Sequence, residues 1–297
     1  MPLVAPMTEA LGVAGLGVAG PAWTPHPDVW LVCGLLASAY AIAVVRVGPR
    51  FVAPGQAVVT RFQVVCFSLG VFALLVSSDW PIHDVAERYN YSVHMVQHLI
   101  FTMIATPLLL LGTPAWLMRY VLPGRLLDIV RTCARFVPAL LIFNLVLVLS
   151  HWPAMVNASL ESGWVHFAMH VVLFTSSLVV WLPIVSPLPE VPRLQPVMRM
   201  LYLFTWSIVP TVPASFLTFG SAPLYSFYKH LPHLFGLTTL TDQQLAGLIM
   251  KIAAGLLLWL IIAVVFFRWA AEEERANTPR HGLDELDREL AEMGLRR

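Results

Sequence analysis

The chain has 297 residues, of which 58% are apolar and 12% charged, with a formal net charge of +1. Soluble domains run near ~45–50% apolar and ~25% charged, and a mean hydropathy of +0.74 exceeds what a globule of this size can bury. Composition therefore excludes a soluble fold and points to a polytopic protein in a lipid bilayer; the near-zero charge excludes a nucleic-acid partner, because no basic field exists to displace counterions from phosphate.

Residues 1–28 are apolar, rich in Gly, Pro and Ala and without a basic n-region, so they read as an extracytoplasmic tail rather than a cleaved signal peptide. Seven stretches then reach the length needed to cross a hydrocarbon layer of about 30 Å. They lie at 29–47, 62–78, 93–111, 135–150, 163–185, 198–219 and 245–267, the fourth being the shortest. Residues 29–269 are thus expected to form one all-α transmembrane domain of seven helices. Pro107 in the third helix and Pro210 and Pro213 in the sixth predict kinks. Cys33, Cys66 and Cys133 form no CxxC pair and read as packing residues. Trp23, Trp30, Trp116, Trp164 and Trp181 read as interface markers. Residues 270–297 form a charged cytoplasmic tail in which Leu283, Leu286, Leu290 and Met293 share the face of a short amphipathic helix.

Basic residues fix the expected orientation, since basic loops are retained in the cytoplasm. With the N-terminus outside and the C-terminus inside, all but Arg88, Lys229 and Lys251 of the 18 Lys and Arg residues fall on the cytoplasmic side. The histidines segregate in the opposite sense. Of ten, only His281 is placed inside; His26, His83, His94, His98, His151, His166, His170, His230 and His233 fall in outer segments. His230 and His233 read equally as guards of an entrance or as solvated loop residues, while Asp84, Glu87 and Arg88 read as a solvated loop face.

Two of the histidine groups repeat with an offset of 72 residues. Ser78-Asp79-Trp80-Pro81 precedes His94-x-x-x-His98, and Ser150-His151-Trp152-Pro153 precedes His166-x-x-x-His170. Asp79 and His151 correspond, an exchange between two metal-ligand types. The repeat makes helices 2–3 and 4–5 equivalent hairpins related by a pseudo-twofold along the membrane normal. Two imidazoles one helical turn apart lie on one face at a spacing that chelates a metal ion. An ionisable residue within a membrane helix costs ~2.5–3.5 kcal/mol when left there unpaired, so two such pairs in register predict one metal site to which His94 and His166 contribute equally. Its core is His94, His98, His166 and His170, completed by Asp79 and His151, with His83 peripheral. Imidazole suits zinc and copper alike, and Met95, Met103, Met155 and Met169 lean only weakly toward Cu(I).

His94-Met-Val-Gln-His98 running into Thr106-Pro107-Leu-Leu-Leu-Leu-Gly112-Thr-Pro114, after Asp79-Trp-Pro-Ile-His83-Asp84, resembles the CtaG family of cytochrome c oxidase assembly factors associated with caa3-type oxidases. The likeness extends over about residues 30–270, through His151-Trp-Pro and the second His pair. It differs from the single-span copper chaperone that shares the family's name, whose cysteine motif this chain lacks. The resemblance implies a multi-pass bacterial plasma-membrane protein, not itself an enzyme, that assists maturation of a haem-copper oxidase by bringing copper to an oxidase subunit. Two other classes fit the same residues: a zinc-dependent membrane hydrolase with Asp79 or Glu161 as base, and a b-type haem protein with one His from each helix.

Overall fold

The protein is described by a computed structural model over residues 21–277 and 288–293. Most of the expected N-terminal tail, His281 and the Leu283 and Leu286 part of the expected amphipathic helix lie outside the described residues. Among the described residues the chain is helical, without strands. Six helical stretches are long and apolar enough to cross a membrane: Pro27–Arg50, Arg61–Arg88, Tyr91–Gly112, Gly163–Val185, Pro196–Phe219 and Thr239–Arg275. A seventh exists if Arg125–Cys133 and Phe136–Ser150, bent by 83° at Ala134–Arg135, count as one span. Phe136–Ser150 alone has 15 residues and reaches only about 22 Å, which is why the fourth stretch is the marginal one.

The first span opens as α1 (Pro27–Ile42) and tightens into a 3-10 turn at Gly48–Arg50. Helix α2 (Arg61–Ser78) starts on a capping box, Thr60 Oγ1 accepting from Gln63 N while Thr60 N donates to Gln63 Oε1; two otherwise orphaned donors are satisfied. A corner at Asp79–Pro81 leads to the short α3 (Ile82–Arg88). The third span is α4 (Tyr91–Leu99), a π-helical segment Ile100–Ala105, and α5 (Thr106–Gly112). Pro107 has no N–H to give, and the carbonyls around the widened turn find other donors: Thr106 Oγ1 donates to Phe101 O, and Trp181 Nε1 to Thr102 O. Two short helices, α6 (Ala115–Val121) and α7 (Arg125–Cys133), lead to α8 (Phe136–Ser150), α9 (Pro153–Glu161) and α10 (Gly163–Val185).

The sixth span breaks at Val209–Pro210 into α11 (Pro196–Ile208) and α12 (Thr211–Phe219). The last comprises α13 (Thr239–Leu248), a π-helical segment Ile249–Ala253, and α14 (Ala254–Asn277). It begins earlier than hydropathy suggests and continues through Glu272, Glu273, Glu274 and Arg275, because Ala, Glu and Arg sustain a helix without an apolar environment.

The third span is central: 61% of its apolar window is buried, against 11% for the first. Helix α5 packs on α2, α10 on α8, α14 on α11, and α13 on α4 and α12. Close approach of α2 and α5 requires Gly112, since a Cβ there would overlap the backbone of Phe67; Tyr40 reaches over to donate to the Gly112 carbonyl. Trp181, Trp206, Tyr202 and Phe143 fill the largest core. Trp116 and Trp181, expected at interfaces, are instead buried and hydrogen-bonded, Trp116 to Val58 O. A buried indole N–H needs an acceptor, and a freed or terminal carbonyl supplies it. Trp23, Trp30 and Trp164 do lie exposed. Cys33 and Cys66 are buried and free, as packing residues are.

Candidate metal centre

Chain ends of the helices assemble the centre. The start of α1, the end of α2, the starts of α4, α10 and α13 and the end of α8 meet at one end of the molecule, joined by Thr24 and His26 to Asp84, Tyr225 OH to His151 O, and Tyr228 OH to Ala86 O. Burial pushes the Tyr225 hydroxyl up to about 12, so it remains a donor.

Helix α4 is held in place by an acid from another span. Asp242 of α13 is buried and accepts from Tyr91 N at 2.6 Å, Ser92 N at 3.2 Å, Ser92 Oγ at 2.5 Å and Asn90 Nδ2 at 3.2 Å. No side chain of the N-cap residue performs this role, so Asp242 supplies from outside the carboxylate that the positive helix start favours. It thereby sets the depth and rotation of the helix that carries His94 and His98. His233 belongs to the same network, its Nε2 2.9 Å from Thr239 Oγ1 and its Nδ1 3.8 Å from Asp242, while His230 is exposed.

On that helix the His94 and His98 rings are 4.2 Å apart between centres and tilted by 53°, and on α10 His166 and His170 meet edge to face at 4.3 Å. The two helices meet through their second histidines: His98 Nε2 and His170 Nε2 are 3.2 Å apart. One ligand atom from each of His94, His98 and His170 lies within 4.8 Å of the others. The His98–His170 spacing matches that of two ligands of one ion, because two imidazole nitrogens bound tetrahedrally at ~2.0–2.1 Å lie about 3.3 Å apart. His94 Nδ1 and His98 Nδ1 are buried without a hydrogen-bond partner, and an unsatisfied buried polar atom costs ~1–3 kcal/mol. Two of the three rings thus keep a nitrogen that the protein itself does not satisfy.

His151, at the end of α8, brings its ring within 6.1 Å of His98. Its Nδ1 lies 2.7 Å from Leu147 O and donates there, leaving the Nε2 lone pair free; fixing a tautomer through a carbonyl is how metal-binding imidazoles are oriented. Burial pushes this imidazole below its ordinary range, with the bond to Leu147 opposing the shift, so it stands as a neutral ring.

The other expected residues divide. His166 keeps ring contact with His94 and His170, but its Nε2 stands 3.0 Å from Glu87 Oε1, a close contact without hydrogen-bond alignment. His83 Nε2 lies 3.3 Å from the same Glu87 oxygen, and its Nδ1 3.2 Å from Gln97 Nε2. His26 completes the series at 4.9 Å from His83. Asp79 turns away: its carboxylate accepts from Trp30 Nε1 at 2.7 Å and Trp80 N at 2.9 Å. Among the described residues its carboxylate makes no hydrogen bond to a histidine. The acids expected on a solvated loop face are not there. Asp84 is almost fully buried beneath Thr24, His26 and Arg88, and Glu87 bridges His83 and His166. His83 and Glu87 are i,i+4 partners on α3, a spacing visible in the sequence; His26 reaches the site only through tertiary folding.

A family model described as cytochrome c oxidase caa3 assembly factor matches residues 38–272. No curated protein and no solved structure matches the chain.

Proposed function

The chain belongs to the cytochrome c oxidase caa3 assembly factor family, and from that premise we propose that it binds copper at the imidazole cluster and passes it to a haem-copper oxidase subunit in the membrane. The observation that carries the reading is the convergence of His94, His98 and His170 within 4.8 Å, with buried nitrogens that lack partners. Neutral nitrogen ligands suit a carrier. They desolvate a metal ion while remaining exchangeable, whereas a thiolate cage retains it, and both zinc and copper accept them.

The copper is cargo in this reading. His98 and His170 join the two helices and hold it; His94 supplies the third nitrogen and His151 approaches from the corner. His83, His166 and Glu87 stand on the tail side of the cluster and receive the ion first. The N-terminus lies outside a bacterial plasma membrane and the C-terminus inside, so the cluster faces the extracytoplasmic space, and helices 2–3 and 4–5 are pseudo-twofold mates. The basic-residue distribution supports that orientation.

A strain carrying His98→Ala with His170→Ala tests the function. The oxidase polypeptide is expected at normal abundance but copper-deficient and inactive, with partial recovery in excess copper because mass action replaces a carrier that only raises local supply. Full oxidase activity in that strain at low copper overturns the carrier reading. A hydrolase would give no copper rescue.

A further inference from the structure

Beside His98 and His151 lies a small cavity of about 40 Å³. Its lining includes Met95, Met103 and Met250 beside those two imidazoles. The same His98 and His151, with Met95, also line a still smaller cavity of about 10 Å³ that includes His94. The two imidazoles and one thioether are thus a partition shared by two chambers.

Three interruptions of helix geometry converge on the larger chamber. Met103 lies in the π-helical segment Ile100–Ala105, Met250 in the π-helical segment Ile249–Ala253, and Pro210 at the break between α11 and α12. Single π-turns inside helices collect at functional sites. Buried methionines ordinarily fill gaps, but here three of them border a space left open in an otherwise packed interior. Apart from Thr102 the chamber's other walls are apolar, among them Leu99, Phe143 and Leu173. Beyond the two imidazoles and the Thr102 hydroxyl, a hydrated dication finds little there to replace its water. A monocation with soft, neutral ligands meets a far smaller desolvation cost, and thioethers select Cu(I) among biological metals.

We propose that this chamber is a second binding station, in which the thioethers of Met95, Met103 and Met250 hold Cu(I), reached from the imidazole cluster through His98 and His151. It rests on the copper reading above and extends it: the ion moves from nitrogen ligands near the surface to sulfur ligands deeper between the third, sixth and last spans.

The test uses the full chain in detergent or lipid nanodiscs. Cu(I) is titrated anaerobically against a chromophoric chelator, and X-ray absorption is recorded on the loaded protein. The comparison variant is Met95→Leu with Met103→Leu and Met250→Leu, volume-conserving exchanges that cores tolerate well. The expected result is sulfur scattering in the first shell of the wild type, lost in the variant together with one equivalent of Cu(I). Equal stoichiometry in both proteins, or a wild-type shell of nitrogen alone, overturns the second station and leaves the imidazole carrier intact. Absence of any copper binding by the wild type overturns both. The wild-type spectrum decides the matter even if the triple variant fails to fold.

Discussion

The two halves of the repeat carry the same Trp-Pro corner and the same His pair, yet the fold uses them differently. In the first half the corner acid, Asp79, is drawn outward to Trp30 of α1, and the first histidine, His94, is buried with a free Nδ1. In the second half the corner residue, His151, is drawn inward beside His98, and the first histidine, His166, faces Glu87. Only the second histidines play matching roles, facing each other at 3.2 Å. The cause is the neighbourhood. The first half lies against α1 and the tail, which supply Trp30, Thr24 and His26 as donors; the second half has no such strap and meets Tyr225 instead. Sequence equivalence therefore fixes which residues arrive at the site's depth, and neighbours decide which of them face one another.

The strongest way to break the comparison is at its one symmetric point. His98→Ala with His170→Ala is expected to weaken copper binding by more than about 100-fold, beyond the ~10–100-fold typical of residues that merely support a ligand. Either single change should produce most of that loss because both act on one ion. Competition titration of the purified variants checks this, and two independent, additive losses would mean two separate ions.

Next in size is the difference in how the two helices are anchored. Asp242→Ala leaves the donors of Asn90, Tyr91 and Ser92 without their buried acceptor and should cost about 3–5 kcal/mol, read as a lower unfolding temperature in detergent. The start of α10 has no comparable side-chain cap, so Ser162→Ala should stay within about 0.5 kcal/mol. Equal destabilisation by the two changes would remove the asymmetry.

The first histidines should also separate. His94→Ala is expected to weaken copper binding about ten times more than His166→Ala, by analogy with the ~10–100-fold range between a ligand and its supports. Equal losses would restore the symmetric four-histidine site that the repeat alone suggests. Smallest is the contrast at the corners. His151→Ala should cost about tenfold as a supporting ring, whereas Asp79→Ala should leave affinity within about twofold, since the Asp79 carboxylate is already taken by Trp30 and Trp80. A tenfold loss on changing Asp79 would place it at the metal after all.

Much of this was legible in the chain itself. Apolar runs located all the spans but the last to within a few residues of the helices, the helix break at Pro210 was marked by its missing N–H, and the weakness of the fourth span was visible as shortness. The HxxxH spacing placed His94 with His98, and His166 with His170, on one face of a helix because a helix turns every 3.6 residues whatever surrounds it. Asp84 and Glu87 were not legible as site-side residues: a charge in a short segment between spans looks solvated until another part of the chain covers it. Trp181 misled for the matching reason, since an indole near a span's end suits either an interface or a buried carbonyl.

Sequence by itself determined a helical membrane chain, its family, the end of the molecule where imidazoles gather and the pairs that gather there. These depend on composition and on periodicity within single helices, which are local. Only the tertiary structure decided that Asp242 caps α4, that Glu87 stands between two histidines, that Asp79 turns away while His151 turns in, and that three methionines on two different spans border one cavity. Each of those depends on contacts between residues tens to more than a hundred positions apart, and such contacts are set by how the helices pack, which no local pattern encodes.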